Sequence, residues 1–381
     1  MSRKLLLVAN PGSSSRKYAL YTHENNKVLD CVAQVHFEAD QHGTVVYSIT
    51  ANGKTLVDEQ EAGISHVTFS LVKLPELLEK HGLIGGEEAV SKIGLRIVAP
   101  SSFFQKNHTI NTEVISELKK IKHHSTLHVG TVLQEIVLLQ KQFPGVRIFG
   151  ASDSAFHADM PDFARTYAIP QTDAKKADVW RFGFHGLSMA SVVRQLSIKG
   201  TLPQRVIACH LGSGCSVTAL HEGKSIETSM GYSPTEGLVM ATRSGNIDLA
   251  AGNDLASELN LNRDQLEEYL SHKSGLLGLS GTTSDIRQLL ELEKNGDKSA
   301  KLALQSFVYH VQLAIGQMAA ALGGCDVLVL TGTVGERSST IRSRVVSKLD
   351  YLGISPKGTD VPVVVLATDE AYEIAQAAVN D

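Results

Sequence analysis

Residues 4–21, KLLLVANPGSSSRKYALY, set the fold prediction for this chain. An apolar run from Leu5 to Ala9 ends at a turn rich in Pro, Gly and Ser, and an extended pattern resumes at Lys17. Short apolar runs bounded by such turn residues predict β-strands. The turn therefore joins one strand to another. A P-loop would instead have the form G-x-x-x-x-G-K-[ST] and lead into a helix, and that motif is absent.

Residues 206–220, VIACHLGSGCSVTAL, repeat this arrangement about two hundred residues later. An apolar strand is again followed by a Gly-Ser turn, at 212–216, and by a second strand. One such unit in each half predicts a duplicated fold in which each copy supplies a phosphate loop. Gly-Ser turns are also common in ordinary hairpins, so the pattern alone leaves both explanations open.

The other elements follow from apolar runs and helical periodicity. Residues 326–337 read as a strand, a Gly-containing turn and a helix, which lets backbone approach a ligand and favours anions at the helix N-terminus. A long helix over 297–322 is apolar on most faces and hence buried. In the helix over 112–121, Asn111 or Thr112 is the expected cap. Further strands are predicted at 43–50, 93–98, 146–149 and 361–366, and further helices at 66–80, 188–196 and 370–378.

The composition restricts the class of protein. The 381 residues carry 36 Lys and Arg against 40 Asp and Glu, a formal net charge of −4, and 43% are hydrophobic. These values are typical of a globular protein of about two domains and argue against a basic nucleic-acid-binding domain. The sequence contains no apolar run of about 18 residues, so we expect no membrane-spanning helix. The apolar stretch near the N-terminus is too short for the hydrophobic region of a signal peptide. With four scattered cysteines and no C-x-x-C pair, we expect a cytoplasmic protein with reduced thiols.

Dense polar strings occur between residues 150 and 290. They read SDSAFH at 152–157, RFGFHG at 181–186, TSMGYSPTEG at 228–237, TRSGNID at 242–248 and SGLLGLSG at 274–281. Together with Asn10 to Lys17, these strings resemble the motifs of the acetate kinase family, within the acetate and sugar kinase/Hsp70/actin superfamily. The family's G-F-H-G and S-G-L-L-G-L-S-G are intact, and its N-x-G-S-S-S-x-K recurs apart from the position around Arg16. The match runs in the family's order from residue 4 to about 376.

Four motifs depart from the family pattern. R-V-V-H-G-G reads RIVAPS at 96–101, P-L-H-N-P reads TLHVG at 126–130, H-L-G-N-G-x-S has Ser213 for Asn, and G-G-I-G-E-N-S reads GTVGERS at 332–338. The preferred acid and phosphoryl donor therefore stay open. If the family's second Gly needs a positive φ, Thr333 requires a reshaped loop, whereas with an ordinary φ a Thr is harmless.

The resemblance implies an α/β chain with the duplicated ribonuclease H-like fold of actin, Hsp70 and sugar kinases, in two domains with an active-site cleft between them. Residues 1–149 with 367–381 would form an N-terminal acyl- and phosphate-side domain. Residues 150–366 would form a C-terminal nucleotide-binding domain. A homodimer is implied by the resemblance alone.

The implied reaction is a reversible, direct in-line transfer of the γ-phosphoryl group of ATP to acetate or another short-chain carboxylate. Such an acid titrates near Glu, at about 4.3, so it is ionised at pH 7 and needs no general base. Catalysis then depends on alignment and charge stabilisation. By resemblance, Arg96 and Arg243 would clamp the phosphoryl oxygens, and His185 would donate a hydrogen bond to them. Asp153 would orient substrate and metal. A lone Arg is more often a solvated charge, but the motif context favours these roles.

The resemblance assigns the other site residues in three groups. Val98, Leu127, Phe184 and Pro234 would form a small acyl pocket. The phosphates and the nucleotide would contact Asn10, Ser13, Ser15, Lys17, His128, His210, Gly212, Ser213, Gly214, Gly281, Asp285, Arg287, Gly332, Gly335 and Glu336. Asn10 and Glu370 would hold Mg²⁺, with Mn²⁺ as a substitute, and ATP is the co-substrate. His123, His124 and His128 also allow a zinc site, but without a nearby Cys or an H-E-x-x-H motif the phosphate role of His128 is favoured.

Two alternatives stay open. The enzyme could be a propionate kinase or another short-acid kinase, or could use a donor such as pyrophosphate. The chain could also be a nucleotide-gated binding protein of the actin and Hsp70 kind that phosphorylates no small acid. The retained Arg96, Arg243, His185 and Asp153 argue against this, because a pure binder does not need an acyl-side set of residues.

Overall fold

The computed structural model of the chain separates into two compact units. The first unit comprises residues 1–155 and 369–381, and the second comprises residues 156–368. Asp153 therefore lies in the first unit, whereas the sequence grouped it with residues 150–366. The residues described by the structure are 4–12, 15–25, 27–39, 43–85, 89–121, 126–198, 200, 202–355 and 360–380, without the side chains of 126–128.

Thirteen strands occur in the described part of the chain. They are β1 (Lys4–Pro11), β2 (Ser15–Glu24), β3 (Lys27–Ala39), β4 (Val45–Ala51), β5 (Lys54–Glu61), β6 (Ala89–Ile97), β7 (His108–Thr109), β8 (Arg147–Ser152), β9 (Arg205–Leu211), β10 (Cys215–His221), β11 (Lys224–Thr228), β12 (Val327–Thr331) and β13 (Val363–Val365). Both predicted Gly-Ser turns join strand to strand, as β1–β2 and β9–β10.

Fourteen α-helices occur in the same residues. They are α1 (Ser70–Lys80), α2 (Thr112–Ile121), α3 (Thr126–Gln142), α4 (Asp162–Arg165), α5 (Gln171–Ala177), α6 (Gly186–Ile198), α7 (Leu249–Glu258), α8 (Arg263–His272), α9 (Gly275–Ser280), α10 (Ile286–Lys294), α11 (Lys298–Leu322), α12 (Gly332–Arg337), α13 (Ser339–Val346) and α14 (Glu370–Val379). Asn111 caps α2, because its Oδ1 accepts a hydrogen bond of 2.9 Å from the Val114 amide. None of the helices in these described residues has the length and apolar character needed to cross a bilayer.

The two sheets share the order of five of their strands. In the first unit the order is β5-β4-β3-β2-β1-β6-β8-β7, and in the second it is β11-β10-β9-β12-β13. In each, three successive strands pair antiparallel, and the first of them then pairs parallel with a later strand, which pairs parallel with the next. The five-strand order 3-2-1-4-5 is therefore present twice, as a duplicated fold requires.

The sheet of the first unit is covered on both faces, which fixes where its polar residues can point. Alternate residues of a strand face opposite sides. Leu5, Leu7 and Ala9 pack in the apolar cluster that includes the buried faces of α1, α2 and α3. Gly94 leaves room on the other face for Ile374 of α14, since a Cβ there would lie 2.8 Å from the Ile374 Cγ2. Even-numbered residues of β1 thus share their side of the sheet with α14.

Two elements are shorter in the structure than the sequence predicts. The helix predicted from residue 66 begins at Ser70, because the preceding Val67–Phe69 forms a separate 3₁₀ turn capped by the side chain of His66. The strand predicted over 361–366 is confined to Val363–Val365, which pairs with β12 at the edge of the sheet as the structure describes it. Both differences lie at element ends, where apolar patterning carries the least information.

Candidate active site

The first unit gathers an arginine, two carboxylates and an amide at one place. Arg96 donates to both oxygens of Asp153, from Nε at 3.2 Å and from Nη2 at 2.9 Å. Its Nη1 lies 3.2 Å from the Asn10 Oδ1 and 3.3 Å from the Glu370 Oε2. The Asn10 Nδ2 also donates to the Glu370 Oε2, at 3.0 Å. Four residues predicted separately from sequence therefore form one hydrogen-bonded cluster.

Strand order explains why these residues meet. Asn10 lies near the carboxyl end of β1, Arg96 near that of β6, and Asp153 directly after β8. β1, β6 and β8 are adjacent and parallel, and side chains at the carboxyl ends of such strands converge on one edge, where ligands of open α/β sheets bind. Glu370 joins them as the first residue of α14.

The charges of this cluster are strongly coupled. The Asp153 side chain is 1% exposed, and its amide donates to the Ile97 carbonyl at 2.9 Å, so the carboxylate is fixed in place. Burial lowers the pKa of Arg96, but the carboxylates of Asp153 and Glu370 outweigh burial and hold that pKa above its usual range. Arg96 is therefore a permanent cation, whose bidentate pair with Asp153 is the strong form of such a contact.

Asn10 and Glu370 supply oxygen atoms of the kind that a hard divalent cation binds. The Asn10 Oδ1 and the Glu370 Oε2 both approach the positively charged Nη1 group. Carboxylate and amide oxygens are the donors that Mg²⁺ uses, with few protein ligands and several waters or phosphate oxygens. Among the described residues, no group of three or more His, Cys, Asp or Glu side chains could hold a metal ion. Asn10 and Glu370 contribute two such oxygen donors, and their role as cation ligands stays a prediction.

In the second unit, His185 is held in a strained backbone conformation. Its φ is +62°, which is rare for a residue with a Cβ and is typical of functional sites. The ring is buried, and its Nδ1 lies 2.9 Å from the Ser216 Oγ. It packs against the tilted ring of His210 with ring centres 4.2 Å apart, and the His210 Nδ1 lies 2.8 Å from the Ser188 Oγ. Two serines thus fix two histidine rings side by side.

Arg243 and His185 both face the second Gly-Ser turn. A Cβ built on Gly214 would lie 3.2 Å from the His185 Nε2 and 3.3 Å from the Arg243 Nη1. The Arg243 Nη1 also donates to the Pro234 carbonyl, at 3.2 Å. The Ser213 carbonyl accepts from the Ala241 amide at 3.1 Å, which ties the turn to the loop that carries Arg243. Two nitrogen donors therefore converge on a backbone that has no side chain.

A second glycine turn adjoins the first. A Cβ on Gly332 would lie 2.6 Å from the Leu211 carbonyl oxygen, next to Gly212, and φ of Gly332 is +76°. Only Gly332 in this turn has a positive φ, so the substituted Thr333 causes no backbone strain. Gly335 lies within α12, where a Cβ would contact Leu330 at 3.4 Å. Glu336 accepts from the Thr331 Oγ1 at 3.4 Å.

Of the other predicted nucleotide residues, Gly281 and Asp285 lie between α9 and α10, and Arg287 is the second residue of α10. Both helices pack on α11. Gly281 caps α9 with φ of +70°. Asp285 caps α10, accepting from the Arg287 amide at 2.7 Å, and also pairs with the Arg287 guanidinium. Hydrogen bonds from Arg287 lower the pKa of Asp285.

The first Gly-Ser turn is described in part. The Gly12 amide donates to the Ser15 carbonyl at 2.9 Å, and Lys17 pairs with Asn10 across the hairpin, so their side chains share a face. Ser13 lies outside the described residues. So do the side chains of Leu127 and His128, and His123 and His124 entirely, so the acyl, phosphate and zinc assignments at those positions stay predictions.

The remaining residues predicted for the acyl pocket are divided between the two units. Val98 follows β6 in the first unit and is half-buried. In the second unit, Phe184 and Pro234 are buried, and the Phe184 carbonyl is 2.9 Å from the Nε2 of the fully buried His157.

The sequence missed the residues that support this site. Ser216, Ser188 and His157 orient His185, His210 and Phe184 respectively, and all three belong to the motif-rich segments quoted above or directly follow one. Their position in those strings was the available signal. Which serine contacts which ring could not be predicted without the fold.

Comparison with known proteins gives consistent matches over almost the whole chain. The model of the Acetokinase family matches residues 5–376. Acetate kinase 1 of Neisseria meningitidis serogroup B is 38% identical over 359 residues, covering 93% of this chain and 88% of that protein. Acetate kinase of Caldanaerobacter subterraneus subsp. tengcongensis is 36% identical over 392 residues, covering 97% of each.

Two solved structures are similar throughout. A crystal structure of Porphyromonas gingivalis acetate kinase has a TM-score of 0.82 and 33% identity, and covers 99% of both chains. A propionate kinase from Francisella tularensis subsp. tularensis has a TM-score of 0.84 and 32% identity, and covers 100% of both. With the repeated strand order, these matches confirm the predicted α/β class and duplicated fold.

Proposed function

The chain belongs to the acetate kinase family of carboxyl-group phosphotransferases, and we propose that its own reaction is reversible phosphoryl transfer from ATP to acetate or a similar short-chain carboxylate. The observation that carries this proposal is the convergence of the His185 Nε2 and the Arg243 Nη1 on Gly214. Donors fixed beside a glycine backbone suit the oxygens of a transferring phosphoryl group, where charge is concentrated in the transition state.

The chemistry needs no general base. A carboxylate oxygen forms a bond to the γ-phosphorus, the bond from that phosphorus to the β–γ bridging oxygen breaks, and its electron pair leaves with ADP. The His185 Nδ1 lies 2.9 Å from the Ser216 Oγ. We assign the hydroxyl as the donor of this bond, which leaves the ring proton on Nε2 for the phosphoryl group. Arg243 offers a second, permanently charged donor.

We assign the cation to the first unit. Asn10 and Glu370 would hold Mg²⁺, which neutralises phosphate charge when bound, and Mn²⁺ would substitute for it. Asp153 keeps Arg96 oriented through its bidentate pair, and Arg96 is the proposed phosphoryl ligand of this unit. Lys17, opposite Asn10 on β2, would bind phosphate oxygens.

A hydroxamate assay tests the proposal. Acetate, propionate and butyrate are each combined with ATP, GTP or pyrophosphate, with Mg²⁺, with Mn²⁺ and with neither. We expect acyl phosphate from acetate and ATP with either cation and none without a cation. Turnover with pyrophosphate, together with no ATP binding at millimolar concentration, would show that ATP is not the phosphoryl donor. ATP binding without any acyl phosphate would instead identify a nucleotide-gated binding protein.

We also propose a cytoplasmic homodimer, as is usual for this family. Sedimentation equilibrium of the purified chain at several concentrations measures the mass directly. A mass near twice the 41.0 kDa of the chain is expected, and a monomer at all concentrations would contradict the proposal.

A further inference from the structure

The loop at residues 231–236 carries Pro234 but forms no helix or strand of its own. Pro234 is buried, and its carbonyl accepts from the Arg243 Nη1 at 3.2 Å. The loop therefore places both a residue predicted for the acyl pocket and the guanidinium proposed to bind the phosphoryl group. Because its backbone lacks the partners that a helix or strand supplies, other contacts must hold its shape.

Glu236 closes the 231–236 loop on itself. Its Oε2 accepts from the amide of Tyr232, four residues earlier, at 2.9 Å. The carboxylate also lies against the backbone of Gly231, where an added Cβ would collide with it. The Glu236 amide donates to the Ser233 carbonyl at 3.3 Å. The absence of a side chain at residue 231 thus gives the carboxylate its place beside the start of the loop.

Arg181 and Tyr167 hold the same carboxylate from two other directions. The Arg181 Nη1 donates to the Glu236 Oε1 at 2.5 Å, and the Tyr167 hydroxyl donates to the Oε2. The side chains of Arg181 and Glu236 are only 21% and 22% exposed, so salt screens this ion pair less than it would screen an open surface pair. Burial and the hydrogen bond to Glu236 raise the pKa of Tyr167, which keeps its hydroxyl a donor.

Arg181 is itself fixed to the sheet of the second unit. Its Nη2 donates to the Thr228 carbonyl at 2.7 Å and to the Glu227 Oε1 at 3.2 Å. Thr228 is the last residue of β11. One planar guanidinium therefore joins the end of a strand to the carboxylate that closes the 231–236 loop, through charge-assisted hydrogen bonds.

The 231–236 loop also contacts the segment that carries His185. The amides of Phe182 and Gly183 both donate to the Gly231 carbonyl, at 3.0 and 3.2 Å. Phe184 and His185 follow directly in the chain. A displacement of the loop would therefore disturb this segment as well as Pro234.

We propose that Glu236 is a positioning residue for the carboxylate side of the reaction. Held by Arg181 and Tyr167, it fixes the 231–236 loop. The loop in turn places Pro234 and the Arg243 guanidinium for the acid and the phosphoryl group, a role that rests on the proposed function of those two residues. Glu236 acts through the loop and not on substrate, since donors of this chain already engage both of its oxygens.

Glu236→Gln tests the proposal. The amide keeps the shape of the carboxylate but has one acceptor oxygen instead of two, so it cannot accept from both Arg181 and Tyr232. We expect a folded enzyme whose kcat/KM for acetate falls at least about tenfold, because small misplacements at an active site are costly. The ratio of kcat/KM for butyrate to that for acetate should rise at least about threefold, since a less constrained Pro234 discriminates chain length less.

The dissociation constant for ADP distinguishes positioning from a general loosening of the second unit. ADP lacks the phosphoryl group that Arg243 would bind, so its dissociation constant in Glu236→Gln should stay within about twofold of the parent. An ADP affinity that weakens in the same proportion as kcat/KM for acetate would overturn the proposal.

Glu293→Gln is the matched control. Glu293 pairs with Arg344 through an Nη2–Oε2 contact of 2.6 Å and an Nη1–Oε1 contact of 3.2 Å, which joins α10 to α13 in the same unit. Neither residue belongs to the 231–236 loop or to the segment that carries His185. The kinetics of the control should equal those of the parent. A folded Glu236→Gln enzyme that also has parental kcat/KM for acetate would overturn the proposal.

Tyr167→Phe covers the case in which Glu236→Gln does not fold. It removes one hydroxyl and keeps the ring and the ion pair of Arg181 with Glu236. Because a hydrogen bond to a charged group is lost, kcat/KM for acetate should fall at least about threefold with the ADP affinity unchanged. Parental kcat/KM for acetate in this variant would contradict the proposal. A parent enzyme that forms no acyl phosphate in the same assay would refute the proposed function instead, so the two failures are distinguishable.

Discussion

Gly214→Ala places one methyl group between the two proposed phosphoryl ligands of the second unit. The added Cβ would lie 3.2 Å from the His185 Nε2 and 3.3 Å from the Arg243 Nη1. Both distances are shorter than the roughly 3.5–4.0 Å at which non-bonded atoms pack best. Gly214 has no positive φ, so Ala is compatible with the backbone and the fold should be retained. The substitution should therefore change the active site without disturbing the fold.

The expected decrease in kcat follows from these distances. Either the two nitrogens move by a few tenths of an ångström, or the methyl occupies the space that a phosphoryl oxygen would need. Because a misplacement of about 1 Å can cost a factor of about 100, we expect kcat to fall between about tenfold and a hundredfold. That range corresponds to about 1.4–2.7 kcal/mol of transition-state stabilisation.

Steady-state acyl phosphate formation and thermal unfolding are measured together for this variant. Gly252→Ala is the control, since Gly252 lies in α7 and a Cβ there meets nothing within 4 Å. The control should keep parental kinetics and gain about 0.5–1 kcal/mol in unfolding free energy, as expected for Gly to Ala in a helix. A folded Gly214→Ala enzyme with parental kcat would refute the assignment of this space to the phosphoryl group.

Three other substitutions probe separate parts of the reasoning. Arg243→Ala should lower kcat by at least about a hundredfold with the circular dichroism spectrum unchanged, because loss of one preorganised donor costs roughly 2.7–4 kcal/mol. A folded variant with near-parental kcat would disprove the proposal that Arg243 binds the phosphoryl oxygens. Pro234→Ala should shift preference modestly toward butyrate, since packing discriminates a methylene by only about 1–3 kcal/mol, and equal losses on acetate and butyrate would identify Pro234 as ordinary core. Burial raises the pKa of Glu135 from its ordinary 4.5 to about 7, although Arg16 and Tyr18 lower it. The folded state therefore keeps this proton where the unfolded state loses it, and stability should fall as the pH rises from 4.5 to 7. Glu135→Gln should flatten that part of the profile of melting temperature against pH, and an unchanged slope would show that another group is responsible.

The sequence predicted those features that depend on local pattern. Strands around both Gly-Ser turns were recognised because apolar runs and turn residues carry that information within about ten positions. Asn10, Arg96, Asp153 and Glu370 were named singly from motifs. These residues come together because β1, β6 and β8 pair in parallel. A local sequence pattern does not predict which distant strands pair.

Burial of charge was the feature that local pattern could not reveal. A lone arginine beside a Ser-rich turn, as Arg16 is, is most often exposed to solvent. In the structure Arg16 is buried. Its partner Glu135 lies more than a hundred positions later, on a helix whose register over the sheet fixes the contact. Thr333 was ambiguous for a similar reason, since whether the positive φ falls on residue 332 or 333 is decided by the packing of Gly332 against Leu211.

The position of α14 in the chain has a consequence for synthesis on the ribosome. Asn10 and its partner Glu370 are 360 positions apart, and the whole second unit lies between them. At about 5–20 residues per second, translation separates them by about 20–70 s. Once β8 has been synthesised, the sheet of the first unit lacks cover on the face of Ile374, Ala375 and Ala378 until α14 follows. All residues of the second unit are therefore synthesised before the first unit can gain its covering helix.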